Sequence, residues 1–140
     1  MEYKTVDFEK MNTIIIEDLT KKYFDSFSKK NIKELEKMYS DNILLHDWSG
    51  VWRGKQQVLD MNKELFEGVE LIKVDVLNTK AFHISLREER KSMWRVYCHI
   101  YIKTSNDKDL NTTLDVMDVI DWGYNEKPKI LKIKAYKCNK

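Results

Sequence analysis

The sequence is poor in residues that interrupt regular structure or form covalent cross-links. Its 140 residues include one Pro, four Gly and two Cys. With so little Pro and Gly, we expect long helices and strands joined by short turns, without flexible linkers. The two cysteines, Cys98 and Cys138, allow at most one bridge, and we interpret them as reduced thiols. No CxxC or HExxH motif occurs, so we predict no metal site.

A surplus of charge of one sign and long apolar runs are also missing. Lys plus Arg number 25 and Asp plus Glu number 23, a formal net charge of +2. So small an excess argues against nucleic acid or an anionic membrane as a partner. No apolar run approaches the roughly 20 residues of a membrane span. The first residues lack the apolar core of a signal peptide, so we expect a cytoplasmic protein with a single domain over residues 1–140.

Hydrophobic residues make up 42% of the chain, and their spacing changes once along it. The first half shows the helical period of 3.6, interrupted by one short apolar run, and the second half shows the strand period of 2. The predicted helices cover residues 12–28, 31–39 and 55–67. The predicted strands cover residues 43–47, 69–78, 81–86, 93–103, 112–122 and 129–136. This order predicts an α+β fold in which helices pack on a curved antiparallel sheet.

One residue of the late strands is out of keeping with its neighbours. Asp118 shares a strand face with Val116, Ile120 and Trp122, so its carboxyl group is expected to be desolvated and its pKa raised. Such a group is protonated, paired or placed at a pocket, because an unpaired buried charge is costly. A structural aspartate held by neighbouring hydrogen bonds would give the same pattern, and the residues alone leave both interpretations open.

The order of elements and several short motifs resemble a known family. The motifs are Tyr23-Phe24-Asp25-Ser26-Phe27, the segment 31–42, His46-Asp47-Trp48-Ser49-Gly50, Arg53-Gly54 and Asp118-Val119-Ile120-Asp121-Trp122. Together they resemble the NTF2-like superfamily, and within it the SnoaL-like and ketosteroid-isomerase-like proteins. The resemblance implies an NTF2-like (cystatin-like) cone, with three N-terminal helices on a curved sheet and a pocket at one end. It also implies chemistry by carboxylates without a cofactor.

The resemblance assigns candidate catalytic roles to three residues. In the isomerase an Asp base ends the short strand after the second helix, where Asp47 stands here, and a Tyr on the first helix stabilises the oxyanion, where Tyr23 stands. A protonated Asp on a late strand assists, and Asp118 occupies that position. SnoaL-like cyclases also place an acid/base Asp there, so either aspartate is a candidate base. The isomerase usually has Pro after its base, whereas this chain has Trp48.

Each of these residues also has a structural interpretation. Asp47 suits a turn before the Gly-containing loop, and Tyr23 suits a core aromatic whose hydroxyl finds one partner. Side chains of the same faces are predicted to form the wall of a pocket for a small, flat, largely apolar molecule. These predicted wall residues are Trp48, Trp52, Trp94, Val116, Ile120 and Trp122.

The opposite face of the late strands predicts an interface. It combines aromatic, apolar and charged side chains in a way that suits neither plain solvent nor a core. We therefore expect a homodimer formed through this outer sheet face. Its predicted residues are Arg95, Tyr97, His99, Tyr101, Asp115, Met117, Val119 and Asp121.

Three functions are compatible with these patterns. The first is an enzyme that moves a proton next to a carbonyl group, with double-bond isomerisation or aldol-type cyclisation as its outcome. The second is a non-catalytic module of the same fold that binds a small ligand or mediates association. The third is a hydrolase or dehydratase in which His46 helps to activate water, although strand alternation turns His46 away from Asp47.

Overall fold

The structure, a computed structural model, describes residues 8–86, 91–106, 112–125 and 127–138. Helices and strands in these ranges follow the predicted order, and the α+β fold with its cone of helices on a curved sheet is confirmed. No helix in this part of the chain is long and apolar enough to cross a membrane. The elements are α1 (Phe8–Ser28), α2 (Ile32–Met38), β1 (Tyr39–Asp47), β2 (Gly50–Arg53), α3 (Lys55–Gly68), β3 (Leu71–Leu86), β4 (Lys91–Ser105), β5 (Thr112–Asn125) and β6 (Lys127–Lys137).

The strands form one curved sheet in the order β2-β1-β6-β5-β4-β3. All neighbouring strands of the described chain run antiparallel except β1 and β6, which pair in parallel, so the sheet is mixed and the prediction of a purely antiparallel sheet is corrected. Parallel pairing needs a long connection, and the chain from β2 to β5 supplies it between β1 and β6. Helix α1 crosses β3, and α3 packs against β1. The inner face of the sheet and the helices enclose a core that includes Leu35, Ile43, Trp94 and Val96, each fully buried.

Two local contacts hold the helices in place. The side chain of Asn31 accepts a hydrogen bond from the backbone N–H of Glu34 at 3.2 Å and so caps the N-terminus of α2. Lys30 has a positive φ of 56° and ends α1. Its ammonium donates to the carbonyl oxygens of Val69 and Glu70 at 2.6 and 3.1 Å, and so ties the end of α3 to the end of α1.

Strand β3 corrects one prediction. Residues 69–78 and 81–86 were predicted as two strands, but a single strand runs from Leu71 to Leu86, with a bulge between Val76 and Asn78. An inserted residue in a strand reverses which side chains face inward. Val76 therefore lies inside before the bulge and Ala81 after it, and this change of phase resembles a break in the sequence pattern.

Residues 50–53 correct a second prediction, because this Gly-containing segment forms strand β2 instead of a loop. It pairs antiparallel with β1, from Leu44 opposite Arg53 to Asp47 opposite Gly50. Strand β1 itself begins at Tyr39, four residues before the predicted start. Four residues of alternating exposure give little periodic signal, so a short edge strand is hard to distinguish from a loop.

Candidate functional site

A cavity of about 450 Å³ lies between the inner face of the sheet and helices α1 and α3. Its walls are mainly aliphatic and aromatic, and its polar groups are few, as is usual for sites that bind small molecules. Trp48 and Ser49, in the turn between β1 and β2, are exposed and lie at its rim. The apolar lining residues are Phe24, Phe27, Leu45, Met61, Leu65, Val69, Ile72, Val74, Ile100, Ile102, Leu114, Val116, Ile133 and Ala135.

Most of the residues that the sequence suggested for the site border this one cavity. The three candidate catalytic side chains come from α1, the end of β1 and the middle of β5, and they meet at the cavity because β5 is two strands away from β1 in the sheet. Their catalytic roles stay a prediction. The predicted residues that line the cavity are Tyr23, Asp47, Trp48, Trp52, Val116 and Asp118.

Trp94, Ile120 and Trp122 do not line the cavity, which corrects their predicted place in its wall. All three point to the inner side of the sheet, but each is at most 1% exposed and belongs to the packed core. The indole N–H of Trp122 donates to the hydroxyl of Thr20 on α1 at 2.9 Å, so that helix and strand are in contact there. Trp94 packs against the ring of His83.

Asp118 is the most unusual group of the cavity. It is 7% exposed, and its strand neighbours are Cys98 on β4 and Ala135 on β6, which offer no positive charge. No ion pair between described residues involves it. Burial, with a smaller contribution from the negative charge of Asp47, raises the pKa of Asp118 to about 7. Near neutral pH this carboxyl group is therefore present in both its acid and its base form.

Asp47 is held in a different way. One oxygen of its carboxylate, Oδ1, accepts hydrogen bonds from the backbone N–H of Ser49 at 2.7 Å, the Ser49 hydroxyl at 2.8 Å and the N–H of Gly50 at 3.1 Å. These bonds close the turn between β1 and β2, a common use of Asp.

Tyr23 belongs to a buried network that sequence reasoning did not identify. Its hydroxyl lies 3.4 Å from that of Tyr39, which accepts a hydrogen bond from Asn62 Nδ2 at 2.6 Å. Burial raises the pKa of Tyr39 to about 12 and that of Tyr23 well above its usual range, so both hydroxyls keep their protons. The missed signal for Asn62 is a polar residue on the apolar stripe of α3, four residues from both Val58 and Phe66.

The histidines and cysteines contribute no further catalytic pair to the cavity. His46 is exposed and lies outside the lining, so it cannot serve the hydrolase or dehydratase alternative in this structure. His99 hydrogen-bonds Asp115 at 2.6 Å on the outer face of the sheet. Cys98 is buried, and burial raises the pKa of its thiol. In the described ranges no cluster of three His, Cys, Asp or Glu side chains could hold a metal ion.

Solved structures with this fold have varied names. A hexachlorocyclohexane dehydrochlorinase, LinA-type3 from Novosphingobium barchaimii, has a TM-score of 0.80 and 11% identity, over 95% of this chain and 91% of that one. A candidate scytalone dehydratase from Novosphingobium aromaticivorans has a TM-score of 0.76 and 10% identity, over 93% and 85%. A candidate calcium/calmodulin-dependent protein kinase II association domain from Xanthomonas campestris has a TM-score of 0.74 and 9% identity, over 89% and 86%.

Identities this low establish a shared fold and leave the activity open. A search of curated proteins found no match. The model of the SnoaL-like domain, in contrast, matches residues 16–116, which include α2, α3, β1 to β4 and most of the cavity wall. Since this match spans well over half of the sequence, the chain belongs to the SnoaL-like domain family of the NTF2-like fold.

Proposed function

We propose that the protein binds a small, largely apolar carbonyl compound and catalyses cofactor-free proton transfer on it. The outcome would be double-bond isomerisation or aldol-type cyclisation. The observation that carries the proposal is Asp118, a buried carboxyl group that borders an apolar cavity and has a pKa of about 7. General acid–base catalysis is most effective when the pKa of the catalytic group lies near the working pH.

The proposal assigns the base role to Asp118 and a supporting role to Asp47. A buried carboxylate without a cation is a strong base, because protonation relieves the cost of its desolvated charge. The Asp47 carboxylate already accepts three hydrogen bonds in its turn, and these would have to weaken if it took a proton. The isomerase-like assignment, in which Asp47 is the base and Asp118 a protonated donor, is therefore the less favoured of the two.

The proposed step moves one proton to Asp118 and shifts two electron pairs within the substrate. The Asp118 carboxylate takes a proton from the carbon next to the carbonyl group, the C–H electrons form a carbon–carbon double bond, and the carbonyl oxygen becomes an enolate. The Tyr23 hydroxyl, which stays protonated, donates a hydrogen bond to that oxygen as its charge develops. Protonated Asp118 then returns the proton at a different carbon. In the cyclisation, the enolate carbon instead attacks a second carbonyl group of the same molecule, and Asp118 gives its proton to the alkoxide that forms.

The alternative is a non-catalytic module that binds a small ligand or mediates association. The observation in its favour is the turn role of Asp47, which accounts for this carboxylate without any chemistry. The fold is also shared by a candidate association domain. This alternative and the enzyme differ in one respect, namely whether a bound ketone loses a proton.

Proton exchange on 2-tetralone tests the proposal, because this flat, uncharged ketone has acidic C–H groups next to its carbonyl. We expect ¹H NMR in deuterated buffer above pH 7 to show protein-dependent loss of the C1 protons. The matched control is Asp121→Asn, which changes a buried aspartate on the outer face of the sheet. This variant should exchange the C1 protons at the rate of the unmodified protein. Binding of 2-tetralone without exchange would support the non-catalytic module, and absence of binding would contradict both functions.

A further inference from the structure

Asn62 has one satisfied and one unsatisfied polar atom inside the protein. Its side chain is fully buried in α3 and borders the cavity. Its Nδ2 donates to the Tyr39 hydroxyl, but its Oδ1 has no hydrogen-bond partner among the described residues. Buried acceptors are nearly always paired, and an unpaired one destabilises the folded protein because it has lost its hydration. A hydrogen-bond donor on a molecule in the cavity would remove this cost.

Packing gives no reason for an asparagine at this position. Val58 and Phe66, four residues before and after Asn62 on α3, are buried and apolar, so a leucine at position 62 would continue the same stripe. The bond to Tyr39 explains the amide nitrogen and leaves the amide oxygen unexplained. A group kept in the core at a cost to stability is typical of sites that recognise a ligand.

The charges around the cavity restrict the ligand further. The titratable side chains of its wall are Tyr23, Asp47, Glu64 and Asp118, and no described lining residue is Lys, Arg or His. An anionic ligand would lose its water there without gaining a cation, and it would meet negative charge. The cavity therefore disfavours carboxylates and phosphates.

We propose that Asn62 is a specificity-determining residue whose Oδ1 accepts a hydrogen bond from an O–H or N–H group of the ligand. The cavity then selects uncharged apolar molecules that carry such a donor. This inference rests on the proposed function only for the location of the ligand site. Combined with it, the inference predicts that carbonyl compounds with a hydroxyl or N–H group bind about tenfold more tightly than ketones without one, such as 2-tetralone.

Three naphthalenes of similar shape test the selectivity by calorimetry at pH 7. 2-Naphthol carries a donor, 2-methoxynaphthalene has lost it, and 2-naphthoate is an anion. One buried hydrogen bond corresponds to about a tenfold change in Kd. We expect 2-naphthol to bind about tenfold more tightly than 2-methoxynaphthalene, with 2-naphthoate the weakest. Equal binding of the first two, or tightest binding of 2-naphthoate, would overturn the inference.

Two variants separate ligand recognition from a structural role. Asn62→Leu removes both polar atoms, whereas Tyr39→Phe removes only the partner of Nδ2 and leaves Oδ1 in place. We expect Asn62→Leu, or Asn62→Ala if the leucine variant does not fold, to bind 2-naphthol and 2-methoxynaphthalene about equally. Tyr39→Phe should keep the preference for 2-naphthol. A preference that survives removal of Asn62, or that is lost equally in Tyr39→Phe, would overturn the inference.

If none of the naphthalenes binds, both this inference and the cavity as a ligand site are wrong. If they bind without selectivity, only the inference is wrong, since exchange on 2-tetralone is measured separately. The two failures are thus distinguishable.

Discussion

The two faces of β5 carry two aspartates that are equally buried and have opposite surroundings. Asp118, on the inner face, is 7% exposed, and Asp121, three residues later on the outer face, is 5% exposed. Asp121 accepts two hydrogen bonds from the guanidinium of Arg95 on β4, at 2.7 and 3.0 Å. Asp118 borders an apolar cavity and has no cation beside it. Burial alone therefore does not identify a reactive carboxyl group.

The two carboxyl groups differ in the interactions that replace the water lost on burial. Two hydrogen bonds to a cation stabilise the Asp121 carboxylate, and the same contact raises the pKa of Arg95. Asp118 lacks such compensation, and the consequence is a pKa of about 7. An outer-face pair of this kind contributes to folding, whereas an unpaired inner carboxyl group costs stability and gains reactivity.

The largest expected effect is on catalysis. Asp118→Asn should reduce exchange on 2-tetralone by about 10²–10⁴-fold, because an amide cannot take the proton. Asp47→Asn should cost less than about tenfold, since Asp47 is held by its turn and acts on Asp118 only through its charge. Initial rates above pH 7 measure both effects. The roles assigned to the two aspartates would be reversed if Asp47→Asn proved the more damaging change.

The next effect is on stability as a function of pH. The folded pKa of Asp118, about 7, lies above the unfolded value of about 3.9, so between these values the folded state binds more protons. The contribution of Asp118 to the free energy of unfolding is fully present below pH 4. It falls by about 4 kcal/mol as the pH rises through 7 and the buried carboxyl group loses its proton. Asp118→Asn should abolish that part of the pH dependence and be the more stable protein at pH 8. Urea unfolding of both proteins at pH 5 and 8 measures it, and parallel pH profiles would contradict it.

A smaller effect is expected from the outer aspartate. Asp121→Asn removes a charge-assisted pair with Arg95 and should lower the free energy of unfolding by about 1–3 kcal/mol. Exchange on 2-tetralone by the folded variant should be unchanged, since Asp121 faces away from the cavity. Loss of exchange without loss of stability would show that the two faces are coupled.

The outer face also carries the predicted dimer interface. Its charges are paired across strands, as in Lys103 with Asp75, while Phe82 and Tyr97 pack edge to face and remain 46% and 43% exposed. We predict that two copies associate through this surface, which would double the mass of 16.8 kDa. Sedimentation at micromolar concentration measures it. A species of one chain would contradict the prediction, and Tyr97→Lys should shift a dimer towards it.

The periodic parts of the sequence predicted the fold well. The helices of the first half and the alternation of β4 and β5 each follow from local spacing. Strand β2 and the continuity of β3 did not, because one is short and the other has a bulge that reverses its phase. In both cases pairing with a neighbouring strand, which the spacing of apolar residues does not report, decides the structure.

The sequence predicted which kinds of residue form the site better than it predicted how far the cavity extends. Asp118 can be identified from the sequence alone, because its neighbours on the same strand face are apolar. Position along that face, however, decides whether a side chain meets the cavity or the core. Val116 lies at the cavity, whereas Ile120 and Trp122 lie in the core beyond Asp118. Alternation gives the face of each residue, and only the packing of α1 and α3 determines where the cavity ends.

The most direct test of the account is the titration of Asp118 itself. Carboxyl-resolved ¹³C NMR, with the signal assigned by its absence in Asp118→Asn, measures the midpoint without any substrate. We expect a midpoint near pH 7, because the Asp118 carboxyl group is desolvated and has no cation beside it. A midpoint near 3.9, the value of a solvated aspartate, would mean that Asp118 is hydrated or paired and would contradict its role as the base.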